Sequence, residues 1–227
     1  MRFIRLRINF SFIGFTGHWT CSREAYKGLL IYSFMVKFKI VHNEVIVDKK
    51  ITKLDQFALD VIKIIQNYTD YIIISSYVSI FFGRSRATED IDMFIKEIDY
   101  KTFEKLYTEF TNIGFEFNIE NYHDIYYESL KKGTPINIWV KNFPLLRMEI
   151  KVAKKNSELL QLNNPLIIIF GDKKLKFAQI ESQIAYKRYI AKSQKDLEDA
   201  RHLEIVFEGL SLEKIKYYKS LFLSEFI

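Results

Sequence analysis

Apolar and polar positions alternate along this chain in two regimes, one with the period of strands and one with that of helices. From Met35 onward, VKFKIV and EVIV alternate on either side of His42-Asn43, which predicts a hairpin. Thr52 with Asp55 three residues later reads as a capping box, and Leu54, Phe57, Ala58, Val61, Ile62 and Ile65 then recur at helical spacing. YIIIS at 71–75 is a strand-length apolar run, YVSIFF a short segment that ends at Gly83, and IDMFI at 91–95 another strand. Asp99 caps a predicted helix carrying Phe103, Leu106, Tyr107 and Phe110 and closed by Gly114. FEFNI, a helix near 122–131, INIWV at 136–140, RMEIKV at 147–152 and LIIIF after Pro165 continue the alternation. Beyond Gly171 the pattern is helical over about 178–192, 195–208 and 211–223. Strands mixed with helices, then a run of helices, predict an α+β (mixed α/β) core over 35–172 with a helical C-terminal portion, 173–227, packed on it.

Composition changes this picture mainly at the N-terminus. With 48% hydrophobic and 16% aromatic residues, the 227-residue chain can bury a sizeable core and is neither disordered nor fibrous. Its formal charge of +6 suggests an anionic partner. Residues 1–34, however, hold five basic residues (Arg2, Arg5, Arg7, Arg23, Lys27) against Glu24, a net +4. That leaves 29 basic and 27 acidic residues, or +2, from Met35 on, which weakens the case for a general nucleic-acid-binding surface. The same stretch carries Cys21, the only cysteine, which excludes an intrachain disulfide and a cysteine zinc site. MRFIRLR followed by INFSFIGF has a signal-peptide outline without a small-x-small cleavage site. No apolar run approaches the roughly 20 residues of a membrane span. The expectation is therefore a cytoplasmic protein whose working part begins at Met35, with residues 1–34 an extension foreign to the rest.

Chemistry concentrates in YIIISSYVSIFFGRSRATEDIDMFI, residues 71–95. A buried strand ends in two small residues, Ser75 and Ser76, where backbone N–H groups and hydroxyls can approach an anion at a helix start. A basic loop with Arg84 and Arg86 follows, and the chain then enters a strand at Asp90-Ile91-Asp92. Residues two apart on a strand share a face, so Asp90 and Asp92 project together while Ile91 and Met93 point into the core. Two adjacent carboxylates repel unless a cation lies between them, and hard oxygen ligands suit magnesium in phosphoryl-transfer sites. An isolated D-x-D is more often a solvated strand end. Here strand, small pair, helix, basic loop and acidic strand fall together within 25 residues.

This constellation resembles the DNA polymerase β-like nucleotidyltransferases, which carry a Gly-Gly or Gly-Ser pair and, after an intervening segment, D-h-D on a strand. In this sequence 13 residues, 77–89, separate Ser76 from Asp90. GRSRATEDID at 83–92 is similar to the loop of stand-alone members that include the AbiEii abortive-infection toxins. The resemblance implies a mixed-sheet core with C-terminal helices, Asp90 and Asp92 as ligands to Mg2+ (or Mn2+), and Ser75 and Ser76 in the place of the phosphate-holding pair. Ser75 departs from the pattern, in which Gly is usual; a side chain there reaches into the nucleotide's space. QIAYKRYIAKSQKDLEDARHL at 183–203 resembles the family's helix-loop-helix, which places Lys187, Asp196 and Asp199 toward the nucleotide. Such sites use a third carboxylate from a later strand, and between 136 and 152 the only acid is Glu149. It shares a strand face with Arg147 and Lys151 and is the candidate metal ligand or general base.

The function these readings converge on is magnesium-dependent transfer of NMP from an NTP to an acceptor hydroxyl on RNA, protein or a small molecule. Asp90, Asp92, Glu149 and Lys187 would be catalytic; Ser75, Ser76, Arg84, Arg86, Lys187, Asp196 and Asp199 would hold nucleotide. The AbiEii-type resemblance implies a toxin with an antitoxin protein as partner. Two other classes stand beside it. Ser75 raises a catalytically silent relative that binds nucleotide or a partner. Glu149-Ile150-Lys151, an E-x-K, raises a metal-dependent nuclease.

Overall fold

A computed structural model describes residues 36–41, 44–86 and 90–226. The extension read at 1–34, the His42-Asn43 turn and the loop residues 87–89 lie outside the described residues.

The described strands are β1 (Lys37–Val41), β2 (Glu44–Asp48), β3 (Tyr71–Ile74), β4 (Asp90–Ile95), β5 (Phe115–Phe117), β6 (Ile136–Val140), β7 (Phe143–Val152), β8 (Leu166–Phe170) and β9 (Lys173–Phe177). The helices are α1 (Lys53–Ile65), α2 (Ser76–Phe81), α3 (Tyr100–Asn112), α4 (Tyr122–Asp124), α5 (Asn156–Asn163), α6 (Ile180–Tyr186), α7 (Gln194–Val206) and α8 (Leu212–Phe226). α4 and α6 run on as π-helical turns, Ile125–Leu130 and Lys187–Ala191. The strands form one mixed sheet in the order β1-β2-β8-β9-β3-β4-β7-β6-β5. The mixed α/β architecture expected from the sequence is the one observed.

Local chemistry sets the element boundaries. Thr52 and Asp55 form the expected capping box on α1: Asp55 N donates to Thr52 Oγ1 at 3.1 Å, and Thr52 N donates to Asp55 Oδ2 at 2.8 Å. Asp99 caps α3 by accepting from Thr102 N at 2.8 Å. Gly114, at φ +87°, takes the left-handed turn that ends the helix before β5.

The two faces of the sheet differ in coverage, and that difference places the site. Ile91, Met93 and Ile95 of β4, with Met148, Ile150 and Val152 of β7, are all at most 2% exposed and join α1 and α3 in the main core. On the other face a small cluster, Ile72, Ala153, Leu162 and Ala178, packs with Ile74 and Phe94. Asp90 and Asp92 lie on this second face by strand alternation, and α5 contacts β3 and β4 there.

Candidate active site

β4 is flanked by β3 and by β7, and the register sets the acidic residues side by side. Asp92 pairs with Ile74 on β3 and with Glu149 on β7, while Asp90 pairs with Arg147. β4 and β7 run parallel in exact step over six residue pairs from Asp90↔Arg147 to Ile95↔Val152, so Glu149 projects to the same face as Asp92. Asp90 Oδ1 accepts from Arg147 Nε at 3.1 Å, a half-exposed pair at the rim.

The electrostatics show strain between these acids. Burial pushes the Asp92 carboxyl above its ordinary value and Asp90 adds to the rise, against a hydrogen bond from the Ser75 side chain and the attraction of Lys187 and Arg86. Burial likewise raises Glu149, helped by Asp92 and then Asp90, with Lys151 opposing. Asp92 and Glu149 are thus each harder to ionise because of the neighbouring carboxylates, a condition that a bound cation relieves. Among the described residues no group of three or more His, Cys, Asp or Glu side chains is gathered closely enough to hold a metal ion, and Asp90 is turned to Arg147. What fits a divalent cation is the donor set: oxygen ligands of excess negative charge on adjacent strand positions.

Ser75 and Ser76 occupy the strand-to-helix junction expected from the sequence. Ser75 has φ 66° and ψ −141°, a region that is essentially glycine's own. The backbone at this corner therefore keeps a glycine conformation although the residue is serine. Its N–H donates to Gln183 Oε1 at 2.6 Å, so this amide is committed to α6, contrary to the sequence-based view of it as an anion donor. The Ser75 side chain instead hydrogen-bonds Asp92. Ser76, 6% exposed, opens the six-residue α2.

The basic residues converge on one buried acid. Asp199, fully buried on α7, accepts from Lys187 Nζ at 2.9 Å, from Arg84 Nε at 2.5 Å and from Arg86 Nη1. Lys187 is 2% exposed, sits where α6 passes into its π turn, and also donates to Asp196 Oδ1 at 3.2 Å. Burial works against the charge on Asp196, but Ser193 and Lys187 outweigh it and hold its pKa below the usual value. Arg84 Nη2 reaches Glu198 Oε2 at 2.7 Å. Arg84, Arg86 and Lys187 are thereby drawn together; Lys187 follows Tyr186, which lines a cleft with Asp92, and the charges of Lys187 and Arg86 act on that carboxylate. Asp199 has no exposed surface, so its place is to hold these cations rather than to touch a ligand.

A cleft of about 260 Å³ opens beside Asp92. Its floor is Ser75, Asp92, Phe94, Glu149 and Lys151; its walls include Glu158 from α5, Gln183 and Tyr186 from α6, and Phe222 and Phe226 from α8.

No protein-family model matches the sequence, and no curated protein matches it. Several solved structures are similar in shape, including the following two. One is a lincomycin-bound lincosamide antibiotic adenylyltransferase, LnuA, with a TM-score of 0.45 and 11% identity over 70% of this chain and 100% of that one. The other is an antigenic nucleotidyltransferase-like protein from Paracoccidioides brasiliensis, with a TM-score of 0.46 and 13% identity over 76% of this chain and 87% of that one.

Several residues of the site escape a reading of sequence. Gln183 gives no motif, and its bond to Ser75 spans 108 positions. Tyr186 and Phe222 fall within predicted helices and Phe226 beyond the last of them, with nothing local to join them, whereas they pack together at the cleft, with centroids of Phe222 and Phe226 5.4 Å and 5.8 Å from Tyr186. Phe94 was within reach of the strand argument, being two residues beyond Asp92 on the same face. Lys151, the lysine of the E-x-K, donates to Glu158 Oε1 at 2.6 Å.

Proposed function

We propose that this chain is a nucleotidyltransferase that moves NMP from an NTP to an acceptor hydroxyl. The observation that carries the reading is the set of three carboxylates, Asp90, Asp92 and Glu149, on one sheet face beside a cluster of three cations, Arg84, Arg86 and Lys187. A surface of either sign alone has many uses. Acids that repel one another, next to cations that a buried carboxylate gathers, match a metal–triphosphate.

Asp92, together with Asp90 once it leaves Arg147, would hold Mg2+ or Mn2+, which when bound supplies charge neutralisation at the reacting phosphate. Ser75 orients the Asp92 carboxylate through its hydroxyl, and Gln183 fixes the Ser75 backbone. Lys187, Arg84 and Arg86, positioned by Asp199, offset charge that develops on the departing pyrophosphate. Ser76 lines the turn below the phosphates. Glu149, whose carboxyl burial pushes above its ordinary value, would take the proton of the acceptor hydroxyl. The acceptor oxygen then bonds to the α-phosphorus as the bond to the pyrophosphate oxygen breaks.

The experiment is transfer of label from α-labelled NTPs by purified protein, with Mg2+ or Mn2+, into cell extract. Label in a product, lost on joint Asp90→Ala and Asp92→Ala substitution, supports the reading. Cleavage of nucleic acid without NTP would instead support a nuclease, and nucleotide binding without turnover a silent relative. Label in RNA or protein would point to the toxin-type setting with an antitoxin partner.

A further inference from the structure

We infer that the cleft beside Asp92 is an acceptor pocket for a small alcohol with an aromatic or other apolar ring and no anionic group. This rests on the nucleotidyltransferase reading for its chemistry, but the pocket is argued from its own walls.

Position comes first. The cleft touches Asp92, Glu149 and Ser75, yet none of Arg84, Arg86, Lys187, Asp196 or Asp199 lines it. The cations able to carry a triphosphate are therefore gathered outside, and a ligand in the cleft meets the carboxylate end of the site. Glu149, the base of the proposed reaction, is part of the floor.

Charge comes second. Asp92, Glu149 and Glu158 face the cleft with one cation, Lys151. That lysine is bound to Glu158 at 2.6 Å, and Glu158 also accepts from Lys154 N at 2.8 Å and Lys155 N at 3.1 Å. The pair is closed on itself, so the lining leaves no uncommitted cation for a phosphodiester or carboxylate ligand. An RNA end would bring several phosphates to a surface of the wrong sign.

Shape comes third. Phe94, Tyr186, Phe222 and Phe226 surround a space that suits one ring system, near the small end of the roughly 300–1,000 Å³ typical of ligand pockets. The wall is held in place before any ligand arrives. Glu225 Oε1 accepts from Ser157 N at 2.9 Å, and Ser157 Oγ also donates to the Glu225 carboxylate, which ties the last turn of α8 to the start of α5. Lys155 Nζ lies 3.2 Å from the Phe226 ring centroid and fixes that ring from outside the cleft lining. A rigid aromatic wall lowers the ordering cost of binding a small molecule.

The test uses three probes of nearly equal size: phenylglycinol (cationic), phenylethanediol (neutral) and mandelate (anionic). Binding to the full chain is measured by calorimetry without NTP, beside NTP binding and NMP transfer. The expected result is binding of phenylglycinol and phenylethanediol at least about tenfold tighter than mandelate, a difference of about 1.4 kcal/mol. Phe226→Ala, at the part-exposed end of α8, should weaken both by about tenfold and leave NTP affinity within about twofold. An unchanged melting temperature for Phe226→Ala, or the same loss with Phe226→Leu, separates a pocket effect from misfolding. Mandelate binding as well as the diol would overturn the inference. So would a loss of NTP affinity in Phe226→Ala, which would make the cleft a nucleoside pocket, or RNA labelling that Phe226→Ala leaves intact. Probe binding with the expected order but no NTP binding would support the pocket and overturn the nucleotidyltransferase reading on which its use rests.

Discussion

Replacing Ser75 by glycine and by alanine should reverse the usual stability order of those two residues. Alanine ordinarily stabilises relative to glycine by about 0.4–1 kcal/mol, because it restricts the unfolded chain. At φ 66° and ψ −141° a Cβ meets backbone strain of about 1–3 kcal/mol that glycine does not. Both variants lose the hydroxyl bond to Asp92, so their difference isolates the backbone. At the middle of these ranges the balance favours glycine by about 1–2 kcal/mol, or roughly 2–8 °C in melting temperature for a domain of this size. Thermal and urea melts of Ser75→Gly and Ser75→Ala under identical conditions measure it. An alanine variant as stable as the glycine variant, or more so, would refute the assignment of a glycine-type corner here. Ser75 would then be an ordinary turn serine, and the likeness of this junction to a Gly-Ser phosphate turn would lose its structural basis.

Other consequences follow from the charges. Asp92 and Glu149 have folded-state pKa values raised above their unfolded ones, so their ionisation destabilises the fold above those values and the cost disappears as pH falls through them. Millimolar Mg2+ should therefore raise the melting temperature near pH 8, and the shift should fade toward about pH 4–5, where carboxylates protonate. Asp92→Asn should melt higher than the native protein without metal and show little or no Mg2+ shift. Asp199→Ala leaves Arg84, Arg86 and Lys187 without their shared acceptor, and breaking a buried network of this kind costs about 3–5 kcal/mol, visible as a fall of roughly 6–20 °C in melting temperature. Arg147→Ala removes a half-exposed pair and should change stability by less than about 1 kcal/mol, while lowering the Mg2+ concentration for half-maximal stabilisation, because Arg147 competes for Asp90.

What sequence reveals here follows the range over which each force acts. The Thr52-Asp55 capping box and the alternation of β4 and β7 are set within a few residues, and the structure reproduces them. Period two on two strands also put Asp90, Asp92 and Glu149 on comparable faces. That Asp92 lies directly beside Glu149 needed the register, which no local pattern carries. β9 was hidden because KKLKF is mostly lysine; its apolar content is Leu175 and Phe177, buried in the sheet between β8 and β3. α5 was missed for a related reason: NSELLQLN has a weak apolar face and buries Ser157, Glu158 and Gln161 in polar contacts. The cluster around Asp199 joins positions 113 and 115 residues apart, so the sequence assigned Arg84, Arg86 and Asp199 each to the nucleotide but could not show that they bond to one another. Lys187 looked like a phosphate ligand for another reason: its partners, Asp196 and Asp199, lie only 9 and 12 residues on, but the turn between the two helices that brings them onto it has no local signature.

The central claim is nucleotidyl transfer at Asp90, Asp92 and Glu149, and its most direct test is a single-turnover assay with α-labelled NTP, Mg2+ and phenylglycinol as acceptor. The account predicts a labelled phosphodiester product, pyrophosphate released in equal amount, and loss of both by at least about a hundredfold in Glu149→Gln. Absence of pyrophosphate release with every NTP, using Mg2+ or Mn2+ and cell extract as well as the small alcohol, would contradict it.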